Sequence, residues 1–351
     1  MLIRAEAFLA FLRRCSEEKN GPYEEVYLPI LPSEDLGGKS YLKPFPARGR
    51  PVLDGFRSID PVKSLLYLAR ESVAPSARKR VRRLIAGAKA CDVKGLELLD
   101  RALINDDFID PAYAAWREDT TLIAFDCTDA APTCHCTLVG GKPYAETGFD
   151  LNASAVEGSF VLTAASEKGN RFMEALKAGA SLLEPDSRIM AAVEARRADM
   201  VRRVRSQNEP FRRPDDYARL RSAPPEGWKE AAGECVGCGA CTNICPTCYC
   251  LILNEEGEGG SFVKARSYDS CQWHGYARVA SGASPRPRIY ERFRHRYLCK
   301  FVFMNGQFGR LGCTGCGRCT EACPGGIEFR DVVRRMLGEP SAQPQGRDVP
   351  R

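Results

Sequence analysis

Residues 235–246 read CVGCGACTNICP, and residues 313–324 read CTGCGRCTEACP. Both stretches have the spacing Cys-x2-Cys-x2-Cys-x3-Cys-Pro, and together they form the one convincing internal repeat in the sequence. This run is typical of proteins in which cysteine thiolates hold [4Fe-4S] clusters. Glycines separate the first three cysteines of each run, where they allow the backbone to loop around a cluster and direct its N–H groups towards the sulfurs.

In two-cluster ferredoxins the fourth cysteine of a run leaves its own loop and ligates the other cluster. The repeat therefore predicts two clusters that exchange their fourth ligands. The predicted ligand sets are Cys235, Cys238, Cys241 and Cys323 for one cluster, and Cys313, Cys316, Cys319 and Cys245 for the other. Zinc is the alternative, but zinc sites usually combine two Cys-x2-Cys pairs and do not repeat the whole run.

The two runs are far apart, with about 67 residues between Cys245 and Cys313. Compact bacterial ferredoxins join their runs by a short link, so this separation favours a helical dicluster domain. Strand and helix patterns alternate in the first half of the chain, which indicates a layered domain there. The predicted fold class is α+β, with a mixed α/β domain over 1–183, an Arg-rich helical linker over 184–229, a dicluster ferredoxin domain over 230–336 and a disordered tail over 337–351.

Several elements of the first half are predicted from apolar patterns and turn residues. Buried strands are expected at 82–87, 121–125 and 159–164, and helices over 1–14, 61–70, from 91 onward and over 167–177. The first helix is amphipathic and charged, and no cleavage site follows it. No stretch approaches the roughly 20 apolar residues that cross a bilayer. A cytoplasmic protein without a membrane span is therefore expected.

Seventeen cysteines stand out against an otherwise ordinary composition of 44% apolar and 27% charged residues. In a reducing compartment, so many thiols are more often metal ligands than disulfides. The formal charge of +6 is modest for 351 residues and does not by itself indicate nucleic acid. Basic residues alternate with aromatic ones between Lys264 and Lys300, which we interpret as helix surface and a partner-docking face, and a nucleic-acid partner is not expected.

A third cluster is predicted in the first half of the chain. Its candidate ligands are Cys91, Cys127, Cys134 and Cys136. Cys91 begins a predicted helix, where free N–H groups favour a thiolate, and Cys127 ends the neighbouring strand. The alternative is that these are free buried thiols. His135 stands between two candidate ligands and is predicted to donate a hydrogen bond to the site rather than to ligate.

The remaining cysteines carry weaker signals. Cys248, Cys250 and Cys271 are predicted either as alternative ligands or as thiols packed near a cluster. Cys15 and Cys299 are predicted to be ordinary thiols. The sequence has no dinucleotide fingerprint, Walker motif, Ser-His-Asp arrangement or His-Glu-x-x-His, and only three histidines. Substrate chemistry is therefore expected on another subunit.

These features resemble the iron–sulfur (beta) subunit of NAD(P)-linked sulfhydrogenases and the A subunit of anaerobic sulfite reductase, between about residue 80 and residue 330. The resemblance rests on Cys91-Asp92, Asp110-Pro111-x-Tyr113, Asp126-Cys127-x6-Cys134-x-Cys136, Gly148-Phe149-Asp150-Leu151, residues 235–250, Asp269-Ser270-Cys271, Arg292-x-Arg294-His295-Arg296 and Gly312-Cys313-x2-Cys316-Gly317-Arg318-Cys319. Two departures are Lys89-Ala90, where the family usually has Arg-Pro, and His135, where it usually has an aromatic residue.

The resemblance implies a ferredoxin-like electron-transport subunit of an oxidoreductase. Electrons would pass between a flavoprotein that oxidises NAD(P)H and a catalytic subunit of the hydrogenase, sulfite reductase or heterodisulfide reductase type. Two other hypotheses stay open: a reductase with its own active site around Cys127–Cys136, and a cluster-based redox sensor.

Overall fold

The computed structural model describes residues 1–18, 21–33, 38–74, 80–211 and 216–338. Most of the predicted disordered tail, from residue 339 onward, lies outside these residues. Leu337, at its predicted start, is buried in the C-terminal core. Among the described residues, no helix has both the length and the apolar character needed to cross a membrane.

The described strands form two sheets. In chain order they are β1 Leu2–Arg4, β2 Glu25–Leu31, β3 Tyr41–Pro44, β4 Arg50–Pro51, β5 Arg70–Ala74, β6 Arg83–Ala88, β7 Thr120–Phe125, β8 Leu151–Val156, β9 Ser159–Ala164, β10 Leu251–Glu258 and β11 Ser261–Tyr268. The larger sheet has the order β1-β9-β8-β7-β6-β2-β3, and β4 also pairs with β2. Its centre is parallel, because β2, β6, β7 and β8 run in the same direction.

The described helices follow in the same order along the chain. They are α1 Ala5–Glu17, α2 Lys63–Leu66, α3 Ala90–Leu103, α4 Pro111–Asp119, α5 Glu167–Gly179, α6 Ser187–Ser206, α7 Pro225–Ala231, α8 Ala240–Asn243, α9 Ile289–Leu298, α10 Met304–Phe308, α11 Arg318–Glu321 and α12 Phe329–Met336. Single 3-10 turns span Cys136–Val139 and Tyr217–Ser222, and a π turn spans Cys299–Phe303.

Helices cover both faces of the larger sheet. On one face α1 and α5 bury Phe8 and Phe172 against the strands. On the other face α3 and α4 bury Leu99 and Trp116. Every residue of β6 and β7 is buried, as expected for central parallel strands that are covered on both sides. The structure therefore contains the strands predicted at 82–87 and 121–125 and the helices predicted from 91 onward and over 167–177.

One predicted helix is much shorter than expected. The segment 61–70 was predicted to be helical throughout, but α2 covers only four residues. The reason is long-range pairing: from Arg70 the chain forms β5, which pairs with β11 from the second half of the chain. Strand pairing with a distant segment has overridden the local helical pattern.

The second half is mainly helical, as predicted, and the α+β fold class is confirmed. Its apolar core gathers aromatic side chains, among them Trp228, Tyr297 and Phe329. The hairpin of β10 and β11 was not predicted, and it lies in the long segment between the two cysteine runs. In the predicted linker, α6 packs on the larger sheet, where Arg197 and Asp126 form an ion pair of 2.8 Å.

Candidate metal sites

The two cysteine runs fold into matching loops. Four glycines of these runs adopt the left-handed backbone region that favours glycine: Gly237, Gly239, Gly315 and Gly317, with φ between 67° and 79°. After each loop comes a single helical turn, α8 in the first run and α11 in the second, and these two turns contact each other. The sequence repeat is therefore also a structural repeat.

The first predicted ligand set, which we call set A, lines one cavity. Its members are Cys235, Cys238, Cys241 and Cys323. Cys323 thus reaches the loop of the first run from the end of the second. Cys238 is exposed, and its neighbour Val236 is 70% exposed, so set A lies close to the surface. Trp273 donates a hydrogen bond from Nε1 to the carbonyl of Cys238 at 3.3 Å.

The second predicted set, set B, lies deeper. It consists of Cys245, Cys313, Cys316 and Cys319. Burial raises the pKa of Cys319 to about 12, and Cys316 and Cys245 are among the neighbouring thiols that add to this effect. Cys245 differs, because contact with the Cys248 thiol and the Lys300 ammonium holds its pKa well below the ordinary value. Each run therefore places its fourth cysteine near the loop of the other run.

The predicted third set, set C, also lines a cavity. Its members are Cys91, Cys127, Cys134 and Cys136. Cys91 lies in the first turn of α3, Cys127 follows β7, and the other two lie in the loop that leads into a 3-10 turn. Burial raises the pKa of Cys127 to about 12, partly offset by the adjacent Lys89 ammonium. Lys89 thus supplies a buried cation beside set C.

Sets B and C are in direct contact. The backbone N–H of His135 donates to the carbonyl of Gly315 at 2.7 Å, and the Cys134 thiol lies 4.0 Å from the carbonyl of Cys316. A Cβ on Gly315 would meet the backbone nitrogen of Cys136 at 2.4 Å. The loop of the second run can therefore approach set C only because glycine occupies this position.

His135 lies beside the thiols. Its Nε2 lies 3.6 Å from the Sγ of Cys313, and its Nδ1 lies 2.9 Å from the carbonyl of Thr133. Burial lowers the pKa of His135 to about 4. The ring is therefore aimed at a thiol of set B, although it stands between two cysteines of set C.

The donor chemistry of these sets suits an iron–sulfur cluster. Each set is made of four thiols, and a buried cation stands between sets A and B: the Nε of Arg296 is buried and has no hydrogen-bond partner among the described residues. Within those residues, no group of three or more His, Cys, Asp or Glu side chains is arranged to hold a single metal ion. A four-iron cubane is larger than one ion and holds its ligands further apart.

A fourth group of thiols, set D, lines one cavity and consists of Cys248, Cys250, Cys271 and Cys299. The sequence predicted the first three either as alternative ligands or as thiols packed near a cluster, and it predicted Cys299 to be an ordinary thiol. The Cys-x-Cys spacing directly after the first run was an available signal, but nothing local marked Cys299. Cys15, in contrast, packs in the apolar core against the larger sheet, as an ordinary thiol would.

The basic stretch between Lys264 and Lys300 is not confined to the protein surface. Several of its cations are buried, namely Arg266, Arg292, Arg296 and Lys300. Arg266 forms ion pairs with Glu71 and Asp110 of the first half of the chain. Part of this stretch therefore holds the two halves together or faces the thiols, and the remaining cations are half-buried or exposed.

Residues 234–327 match the family model of the 4Fe-4S dicluster domain. The chain is 30% identical over 290 residues to the beta subunit of sulfhydrogenase 2 of Pyrococcus furiosus, which covers 80% of this chain and 84% of that subunit. The chain belongs to this sulfhydrogenase beta-subunit family, and the resemblance seen in the sequence is confirmed.

A second relative is more distant. The beta subunit of the F420-dependent formate dehydrogenase of Methanocaldococcus jannaschii is 22% identical over 186 residues, which is 53% of this chain and 40% of that subunit. No solved structure matches the chain. At this level the prediction of an iron–sulfur electron-transfer subunit is confirmed.

Proposed function

We propose that this chain relays electrons between a flavoprotein subunit that oxidises NAD(P)H and a catalytic subunit of the hydrogenase, sulfite reductase or heterodisulfide reductase type, in the cytoplasm. The observation that carries the proposal is the contiguity of the thiol sets. Arg296 is a neighbour of both Cys241 in set A and Cys319 in set B, and the Cys134 thiol of set C contacts the loop of set B.

In this proposal sets A, B and C each hold one [4Fe-4S] cluster through four thiolates. Such a cluster accepts and returns single electrons at a potential that depends on nearby charge and hydrogen bonds. The residues of this chain keep the thiolates in place and offset their charge. Lys89 does so at set C, and Arg296 does so between sets A and B, where the thiolates of Cys241 and Cys319 outweigh burial and raise the pKa of Arg296.

Two surfaces would admit partners. Set A reaches the surface at Cys238 and Val236. Set C adjoins a second cavity of about 470 Å³, which is lined by Cys91, Cys136 and the cations Lys94 and Arg310. Donor and acceptor subunits at these two surfaces would be connected through set B, which supports a relay with its two ends on different faces.

The relay is tested on the full chain purified without oxygen. Replacing Cys91 and Cys134 together with alanine should remove about four iron atoms per chain and leave the other clusters reducible by dithionite. Cys15→Ala, which changes a thiol in the apolar core, is the control and should retain all the iron. Unchanged iron in the double variant would remove set C from the proposal, and zinc without labile sulfide in the wild type would refute it entirely.

A second candidate function is suggested by the cavity of about 470 Å³ beside set C. Lys94, Lys142 and Arg310 line this cavity together with Glu97 and Glu146, and a small anion bound by these cations beside set C would make the chain a reductase in its own right. The isolated chain would then turn over sulfite with reduced methyl viologen as donor. A relay subunit takes up electrons from the viologen until its clusters are reduced and then stops.

A further inference from the structure

Four thiols outside the predicted sites share one cavity, that of set D. The cavity has a volume of about 350 Å³, and no carboxylate lines it. None of the four cysteines of set D is in a disulfide. Buried free thiols ordinarily pack against other side chains as small apolar groups, as Cys15 does in the apolar core. Four thiols facing a common space therefore need a different explanation.

Three separate elements bring these thiols together. Cys248 and Cys250 immediately precede β10, and Cys271 follows β11, so the hairpin returns the chain to its starting point. The pairing of Leu251 with Tyr268 closes the hairpin, and the N–H of Asp269 donates to the carbonyl of Cys250 at 2.9 Å. The hairpin therefore places Cys271 beside Cys250.

Cys299 comes from a different part of the chain, at the start of the π turn that follows α9. Single π turns inside helices are rare and occur frequently at functional sites, because the extra residue re-aims the side chains around it. Cys250 and Cys299 are both among the neighbours that add to the effect of burial on Cys271, whose pKa is raised to about 12. The thiols from the hairpin and from the helix are therefore close to one another.

Cations surround the cavity. Arg296 and Lys300 line it, and both are buried. Lys63 is also buried and donates to the carbonyl of Cys248 at 3.0 Å. An anionic cluster in this cavity would therefore add to the thiolates of sets A and B in offsetting the cost of burying these cations.

We propose that Cys248, Cys250, Cys271 and Cys299 ligate an additional [4Fe-4S] cluster. The cavity of about 350 Å³ and its four thiols suit a cubane, which is larger than a single ion. Sixteen of the 17 cysteines would then fall into four sets of four, and Cys15 would remain as the one thiol of the apolar core.

The place of set D in the proposed relay follows from its neighbours, and this step rests on the proposed function. Cys248 is hydrogen-bonded to Cys245 of set B, and Lys300 is close to both. The cavity also reaches Phe108, which is 49% exposed. Set B would therefore have three neighbouring clusters, and set D would give the relay a third terminus, near the surface.

The test is an iron and labile-sulfide count on the full chain, purified without oxygen and reconstituted with ferrous iron and sulfide. The wild type should hold about sixteen iron atoms, and a variant with Cys250→Ala and Cys271→Ala about twelve. Cys15→Ala is the matched control and should stay at about sixteen. EPR of the reduced double variant should lack one signal of the wild type and retain the others.

Three results would overturn set D as a cluster site. They are a wild-type content of about twelve iron atoms that falls to about eight when Cys91 and Cys134 are replaced, an unchanged content in the double variant, or about one zinc ion per chain that the double variant loses. The wild-type count together with the set C variant decides the question even if the set D variant fails to fold. Each of these results leaves the clusters of sets A, B and C in place, so loss of set D is distinguishable from failure of the relay.

Discussion

Buried cations are the residues that best indicate the function of the thiol sets. Arg296 is 7% exposed and Lys300 is 3% exposed, and both face cysteines. Burial would lower the pKa of Lys300, but the thiolates of Cys245 and Cys248 outweigh it and raise that pKa. The cations and the thiolates therefore stabilise each other, and each cation is expected to make reduction of a nearby cluster easier.

Replacing Arg296 with methionine should lower the reduction potential of the clusters at sets A and B. The long apolar side chain keeps the contacts with Tyr297 and Phe329 but removes a positive charge that favours the reduced state. A shift on the order of 100 mV is expected for a charge at this range in a partly buried setting. An EPR-monitored redox titration measures it. Arg278→Met, at an exposed position, is the control and should leave the potentials unchanged.

Left-handed glycines shape the loops of both cysteine runs. Gly315 of the second run lies against Cys136, whereas Gly309 follows α10 and belongs to neither run. Gly309 also has a left-handed φ, of 66°, but no atom lies within 4 Å of a Cβ built on it. A comparison of alanine variants at Gly315 and Gly309 therefore separates the effect of a steric clash from the effect of a strained backbone.

Gly315→Ala should release iron from sets B and C together, a loss of up to about eight atoms per chain. The added methyl group would collide with the backbone of Cys136, so the two loops could no longer touch. Gly309→Ala, which adds only the strain of a positive φ, should keep its full iron content and lose about 1 kcal/mol of stability. Equal iron contents in the two variants would contradict the proposed contact between the loops.

The cysteine loops also show which features can be predicted from the sequence. The repeat predicted the first eight ligands because the spacing within a loop is a local property. β6 and β7 were found because a continuous apolar run is typical of a strand covered on both faces. The hairpin between the runs and the short α2 were missed for the same reason, since β5 and β11 pair across almost 200 residues.

At the scale of the whole molecule, the two halves of the chain are held together by buried polar contacts. Arg318 in α11 forms an ion pair of 2.9 Å with Asp92 in α3, and both side chains are almost fully buried. Arg57 donates to the carbonyl of Cys316 at 2.7 Å and pairs with Glu321. The larger sheet and the dicluster region therefore position sets B and C jointly.

Asp92→Ala should destabilise the protein by about 3–5 kcal/mol, because it leaves the guanidinium of Arg318 buried without its anionic partner. Replacing both residues with apolar ones, Asp92→Leu with Arg318→Met, should cost less than the single change. Anaerobic denaturation with guanidinium, followed by circular dichroism, gives the comparison. Glu167→Ala, which breaks an exposed pair with Arg171, should change stability by less than about 0.5 kcal/mol.

The sequence by itself determined the class of cofactor and the two loops that hold it, because the cysteines, glycines and proline of each run act within a dozen residues. It also pointed to set C, from strand ends and a helix start. The tertiary structure alone decided that Cys299 joins Cys248, Cys250 and Cys271 while Cys15 remains in the core. No local spacing distinguishes Cys299 from Cys15. Only the hairpin, the π turn and the packing of the halves bring distant cysteines around a common cavity.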